Sequence, residues 1–130
     1  MAHSRIVYLV DDNADYRFLV QQVFTLFLPE HQVHFFADGS QLVERMDALP
    51  KVSRPDLIVL DMDMPQLNGL QTLFLLKQNP DWKAIPVVMM TNRDQMEIRR
   101  KSHQLGANAF LLKPLNLLEM RNVMTQLCAY

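Results

Sequence analysis

A chain of 130 residues and 15.2 kDa, 49% hydrophobic and 21% charged, has the size and mix of one folded domain rather than a disordered segment. Its net charge of −1 and pI near 6.4 provide no bulk attraction to nucleic acid or to a membrane surface. A single cysteine, Cys128, excludes an internal disulfide and a thiolate zinc cluster, and fits a reducing cytosol.

The apolar run from Ile6 to Val10 is too short for the core of a signal peptide, and no run nears the ~20 residues that cross a bilayer. A soluble, cytoplasmic protein is therefore expected. "RIVYLV" (5–10) reads as a buried strand. A helix from Ala14 to Leu28 follows, with Phe18, Leu19, Val23, Leu26 and Phe27 as its apolar face and Pro29 as its stop. "QVHFFA" (32–37) is a strand, Asp38 and Gly39 a turn, and Leu42, Met46 and Leu49 mark a helix closed by Pro50. "LIVL" (57–60) is the third strand, and "GLQTLFLLKQN" (69–79) a helix ended by Pro80. "IPVVMM" (85–90) is the fourth strand, and a more polar helix from Met96 to Leu105 stops at Gly106. Its basic run Arg99, Arg100 and Lys101 reads as a solvated face, with a partner-docking patch as the alternative. "AFLLK" (109–113) and a helix from Leu117 to Cys128 complete the series.

Five strand–helix alternations predict an α/β domain over 1–130, with a parallel sheet wrapped by helices on both faces. Near-continuous apolar strands agree, because such strands are buried on both sides. Only three glycines occur and none forms a G-x-G-x-x-G loop, so nothing supports dinucleotide binding.

Ligands of open parallel sheets sit beyond the carboxyl ends of the strands. There the first strand presents Asp11 and Asp12, the third Asp61 and Asp63, the fourth Thr91 and the fifth Lys113 and Pro114. Polar residues surface at any strand end, which explains each feature singly but not the set. Two carboxylates ~4 Å apart repel by about 4 kcal/mol at an effective dielectric of 20. Such a cluster needs protonation or a cation, and hard oxygen ligands with room for water favour Mg²⁺.

In these residues the chain resembles the response-regulator receiver domains of two-component signalling, from Ile6 through the last helix. The resemblance is carried by Asp11–Asp12, by "DMDMP" (61–65) with Gly69 beyond it, by Thr91 and by "KP" at 113–114. It implies a flavodoxin-like sheet of order 2-1-3-4-5 with five helices. It also implies that Asp61 accepts a phosphoryl group from a histidine kinase or a histidine phosphotransfer protein. Asp12, Asp61 and the main-chain carbonyl of Asp63 would bind Mg²⁺, Asp11 would hold metal-bound water, and Lys113 and Thr91 would bind phosphoryl oxygens. Phe110, three residues before Lys113, stands where the family carries an aromatic switch residue; a plain core phenylalanine is the other reading.

"LIVLDMDMP" is also similar to the h-h-h-h-D-x-D motif of haloacid-dehalogenase-type phosphatases. That motif belongs on the first strand of a larger chain, whereas here it ends the third, and it leaves Asp11–Asp12 unexplained. A degenerate receiver acting only as a binding module is disfavoured because no phosphorylation residue is missing. The expectation is a phosphoacceptor rather than an enzyme, with no output domain in this chain, or else a receiver fragment of a larger regulator or hybrid kinase. Its signal leaves through protein contacts, to a target or a second copy, on a face within residues 95–125 that includes Arg99, Arg100 and Met120. Neither nucleic-acid binding nor membrane insertion is expected.

Asn92 and Asp63 depart from common family residues at the pocket mouth. Asp63 and Arg93 each lie two residues beyond a strand-end group on what should be adjacent strands. Their side chains are expected to pair over the pocket as a gate, with Asn92 narrowing the entrance. Slow uptake from small phosphodonors and a long-lived phosphoryl group would follow.

Overall fold

The computed structural model describes residues 4–48, 54–64 and 67–129. Five parallel strands, β1 (Ile6–Val10), β2 (Gln32–Phe36), β3 (Leu57–Asp61), β4 (Val87–Thr91) and β5 (Ala109–Leu112), form one sheet in the order β2-β1-β3-β4-β5. Each strand is followed by a helix: α1 (Ala14–Phe27), α2 (Gly39–Ala48), α3 (Gly69–Gln78), α4 (Met96–Gln104) and α5 (Leu117–Cys128). The expected architecture and strand order are those observed.

Successive strand residues face opposite ways. Val7 and Leu9 therefore join Val20, Val23, Phe24, Met120 and Met124 beneath α1 and α5. Tyr8 and Val10 join Leu42, Leu73 and Leu76 on the opposite face. β3 and β4 are buried at every position, whereas the edge strands β2 and β5 are half open, so the central strands read as unbroken apolar runs. β4 starts two residues later than the apolar run suggests. Pro86 has no N–H for the ladder, and only its carbonyl takes part, accepting from the Ile58 amide at 3.0 Å.

Asparagines start three of the helices: Asn13, Asn68 and Asn116 each accept a backbone N–H of the first turn, and Asn68 with Gln71 forms a reciprocal capping box. Asp38 does the same for α2, taking the Gln41 amide at 3.0 Å and the Ser40 hydroxyl at 2.6 Å. The Asp38–Gly39 pair is thus a helix start rather than a free turn. Leu49, Pro50 and Pro65 lie outside the described residues.

Two expectations about side chains are overturned. The buried face of α1 consists of Val20, Val23 and Phe24; of the expected face only Val23 is buried, while Leu19 and Phe27 are exposed and Phe18 and Leu26 are 62% and 60% exposed. Asp15, Arg17, Gln21, Gln22 and Thr25 share one side of the helix, with Phe18 among them and Leu19 and Leu26 at the margin of the apolar stripe, so counting apolar residues without their phase misplaced the buried face. Met120 is 1% exposed and belongs to the core under α1 and α5, so it cannot form part of a contact face.

Gly69 opens α3 against the end of β3. A Cβ there would lie 2.5 Å from the Asp61 carbonyl oxygen and 2.9 Å from the Met62 Cα. An ordinary helical Gly→Ala change stabilises by roughly 0.4–1 kcal/mol; Gly69→Ala is expected to reverse that sign and cost about 1–3 kcal/mol through overpacking. Gly106, with φ of +103°, is expected to lose about 1–2 kcal/mol on the same change because of its backbone. Urea unfolding of the two variants measures both; a gain in stability for Gly69→Ala would mean that the helix start can move away from β3.

Candidate functional site

The carboxyl ends of β1, β3, β4 and β5 carry the chemistry. The Asp11 amide extends the ladder by donating to the Phe36 carbonyl at 3.0 Å, and this carries its side chain to the sheet end at 2% exposure. There Oδ1 accepts the Asn13 amide at 2.9 Å. Asp61, the last residue of β3, is 5% exposed. Thr91 ends β4 at 1% exposure, and its Oγ1 accepts the Arg93 amide at 3.1 Å. Lys113 follows β5, its amide held by the Thr91 carbonyl at 2.8 Å.

The Lys113 ammonium binds the two buried acids together: Nζ is 2.6 Å from Asp11 Oδ2 and 3.3 Å from Asp61 Oδ1. Burial, and then the neighbouring Asp11 charge, push the Asp61 carboxyl up to about 6, with Lys113 and the Asp63 amide offsetting only part of the effect. Burial opposes the Lys113 charge, but contact with Asp11 and Asp61 outweighs it and raises the ammonium above an ordinary lysine.

Asp12, exposed, completes the cluster: ligand atoms of Asp11, Asp12 and Asp61 all lie within 4.8 Å of one another. Three hard carboxylates with one side open to solvent fit a divalent ion that keeps water ligands. Asp63 and Arg93 form the expected pair, Arg93 Nη2 donating to Asp63 Oδ1 at 2.9 Å, with both side chains more than half exposed. The two residues are also tied inward by their amides, Arg93 to Thr91 Oγ1 at 3.1 Å and Asp63 to Asp61 Oδ1 at 3.5 Å. Asn92 is exposed beside them. Phe110 is half-buried against the sheet face under α2, α3 and α4, and the Arg99 guanidinium sits 5.0 Å from its ring centre.

Two site residues were not anticipated from sequence. Arg17 Nη1 donates to the Asp11 carbonyl at 2.6 Å, so Lys113 is not the only cation at these acids. Tyr16 lies under Lys113, with Nζ 4.6 Å from its ring centre. The only linear hint was an aromatic and a basic residue one helical turn beyond the acidic pair. Other clefts lie elsewhere: one of about 620 Å³ between α3 and α4 is lined mainly by apolar side chains such as Leu70 and Phe74. Another of about 640 Å³ beneath α5 includes Asp56 and Asn108, whose side chains already accept the Ile6 and Val87 amides. Converging charge, rather than cavity size, marks the site.

The family model described as response regulator receiver domain matches residues 7–125. The response regulator Rcp1 of Synechocystis sp. is 33% identical over 120 residues, covering 89% of this chain and 81% of that protein. The structure of the phosphorylated cyanobacterial phytochrome response regulator RcpA superposes with a TM-score of 0.85 at 26% identity, over 96% of this chain and 91% of that one. The Mn²⁺-bound form of Rcp1 gives 0.81 at 29% identity, over 95% and 91%. The phosphatase reading of "LIVLDMDMP" is not favoured: its acids end the third strand of this sheet, and the sequence likeness extends over both halves of the chain.

The Asp61 carboxyl rises from its ordinary 3.8 to about 6 on folding. Its neutral form thus favours the folded state below about pH 4, and that contribution is lost as pH rises through 6. Asp61→Asn, which stays neutral, is expected to exceed the parent in stability by roughly 1–2 kcal/mol above pH 7 without divalent ions, after discounting for solvent screening. The gap should close towards pH 4. Millimolar Mg²⁺ should raise the parent's melting temperature, by roughly 1.4 kcal/mol of stabilisation at ten times Kd, and leave the variant nearly unmoved. Thermal melts across pH and Mg²⁺ concentration check both; equal stability of the two proteins at pH 8 would show that the buried charge carries no cost.

Proposed function

Because this chain belongs to the response regulator receiver family, we propose that Asp61 is the phosphoacceptor of a two-component phosphorelay, charged by a histidine kinase or a histidine phosphotransfer protein in the cytoplasm. The observation that carries this reading is the Lys113 ammonium shared between Asp11 and Asp61 at the edge of a three-carboxylate cluster. Mg²⁺ would be held by Asp12, Asp61 and the Asp63 carbonyl, with Asp11 orienting its water. When bound, it offsets charge on the transferring phosphoryl oxygens.

The rest is done by the chain's own groups. A carboxylate is a weak nucleophile, but phosphoryl transfer through a loose transition state demands mainly alignment and charge neutralisation. Asp61 presents one oxygen to phosphorus and forms a P–O bond as the donor's bond to phosphorus breaks. Lys113, already on Asp61, moves with its charge onto a phosphoryl oxygen, and the Thr91 hydroxyl donates to another. The product is an acyl phosphate, and its hydrolysis resets the protein.

Output is proposed to run through Thr91 to Phe110 and α4. Phe110 has no hydroxyl, so it acts by packing alone, and its ring is in contact with Arg99, which also binds Asp94 at 3.0 Å. A target protein or a second copy would read the face within residues 95–125, without Met120.

Incubation with Mg²⁺ and acetyl phosphate is expected to yield one adduct at Asp61 by mass spectrometry, absent in Asp61→Asn and formed at least about tenfold more slowly in Lys113→Ala. Beryllium fluoride, a phosphoryl mimic, should shift amide signals beyond the pocket into residues 95–125. Steady release of phosphate in many turnovers, or shifts confined to the pocket, would each contradict this scheme.

The Asp63–Arg93 pair is proposed as a kinetic gate. It is exposed and worth only ~0–1 kcal/mol to stability. It nevertheless joins the residues whose amides hold Asp61 and Thr91, across the approach of a small donor or a hydrolytic water. Asp63→Asn and Arg93→Ala should each accelerate dephosphorylation several-fold, and the double variant should be no faster than the faster single one. Rates that multiply instead, or that fall, would leave Asp63 as an acid beside the metal and nothing more.

A further inference from the structure

We infer that Tyr16 is a positioning residue for the Lys113 ammonium, its ring face providing a hold on that charge for which a divalent ion does not compete. The inference rests on the receiver reading of the site. Lys113 has three neighbours that fix its tip: Asp11 Oδ2 at 2.6 Å, Asp61 Oδ1 at 3.3 Å and the Tyr16 ring centre at 4.6 Å. Both carboxylates belong to the cluster that fits a metal ion. An ion drawn to those oxygens weakens their attraction for the ammonium and repels it directly. The four-carbon stem of lysine is flexible enough to let the charge swing away. A ring face has no lone pair to offer a hard cation, which selects oxygen, yet it attracts an ammonium through its quadrupole within about 6 Å of the centroid.

The ring is itself well fixed. Tyr16 stands in the first turn of α1, where its amide donates to the Asn13 side chain at 3.1 Å. Its body packs against the core under α1 and α5, and its hydroxyl points to Met90 Sδ at 3.9 Å. That weak contact engages the hydroxyl and leaves the π face to the ammonium. Burial, reinforced by the charges of Asp11 and Asp61, raises the phenol far above its ordinary range, so the ring stays neutral at any working pH. With its side chain only 8% exposed, Lys113 is enclosed between the acids and this ring. Tyr16 thus acts on the reaction through Lys113, holding the ammonium where phosphoryl oxygens arrive.

The test replaces Tyr16 by phenylalanine and by phenylalanines bearing one, two and three ring fluorines, which drain the π face without changing its outline. Phosphorylation of Asp61 by acetyl phosphate at saturating Mg²⁺ is expected to stay within about twofold of the parent for Tyr16→Phe. It should fall stepwise with fluorination, to about tenfold down for the trifluoro ring and for Tyr16→Leu. A second readout needs no reaction: in Tyr16→Phe the Lys113 side-chain proton signals should keep their ring-current shift when Mg²⁺ is added, and in Tyr16→Leu they should move to solvent-like positions. A rate independent of fluorine number overturns the inference, as does a Tyr16→Phe variant as slow as Tyr16→Leu, which would assign the role to the hydroxyl. If the parent itself forms no adduct, the receiver reading fails instead.

Discussion

Two buried carboxylates share one ammonium, and much of this structure is arranged around that constraint. Asp11 follows β1 and Asp61 ends β3, two interior strands that are direct neighbours in the sheet. Their mutual repulsion is intrinsic to the topology. The neutralising charge comes from β5, two strands away from β3, or about 10 Å at ordinary strand spacing. A long unbranched side chain spans that gap, and the Lys113 amide bond to the Thr91 carbonyl fixes where it starts. The site is therefore incompletely compensated, and the Asp61 carboxyl remains well above its ordinary range. Stability is withheld at Asp61, where the proposed phosphoryl group would attach.

The two faces of the sheet divide the labour. One core, under α1 and α5, supports the Tyr16 ring from below through β4, where Met90 meets the hydroxyl and pairs with Asp61 in the strand register. The other, under α2, α3 and α4, carries Phe110 and the loop after β3, into which Gly69 lets α3 approach closely. Lys113 and Thr91 are joined by a main-chain hydrogen bond, and Phe110 lies on β5, which Lys113 directly follows. A change in what these two residues hold thus has a short covalent and hydrogen-bonded route to Phe110. From Phe110 the contact runs to Arg99 on α4 and on to Asp94. Arg99, Arg100 and Lys101 are all exposed, the solvated face expected of them, and Arg99 in addition rests on an aromatic ring of the sheet.

Much of this was legible in the linear chain. Short continuous apolar runs alternate with period-3.6 segments, each helix is bounded by proline, glycine or asparagine, and the strand ends list their acids, hydroxyl and lysine in plain order. The positions of Asp11, Asp12, Asp61, Thr91 and Lys113 follow from one rule about parallel sheets, that side chains just past the carboxyl ends converge. The Asp63–Arg93 pair was also readable, because equal offsets from adjacent strand ends place two side chains at the same height.

What the sequence could not decide was the direction in which ambiguous residues face. α1 carries Phe18 on its polar side and Leu19 and Leu26 at the margin of its apolar stripe; packing against β1 and α5 buries Val20, Val23 and Phe24 and leaves Phe18, Leu19 and Leu26 outside. The same selection buried Met120, which a linear reading assigned to the surface. Tyr16 and Arg17 reach the site only because the Asn13 cap starts α1 immediately behind Asp11 and turns its first residues back over the strand ends. Local propensity determines where elements begin and end, because caps and breakers act within a few residues. The facing of a side chain is a choice among contacts distant in sequence, and it exists only once the sheet has brought those partners together.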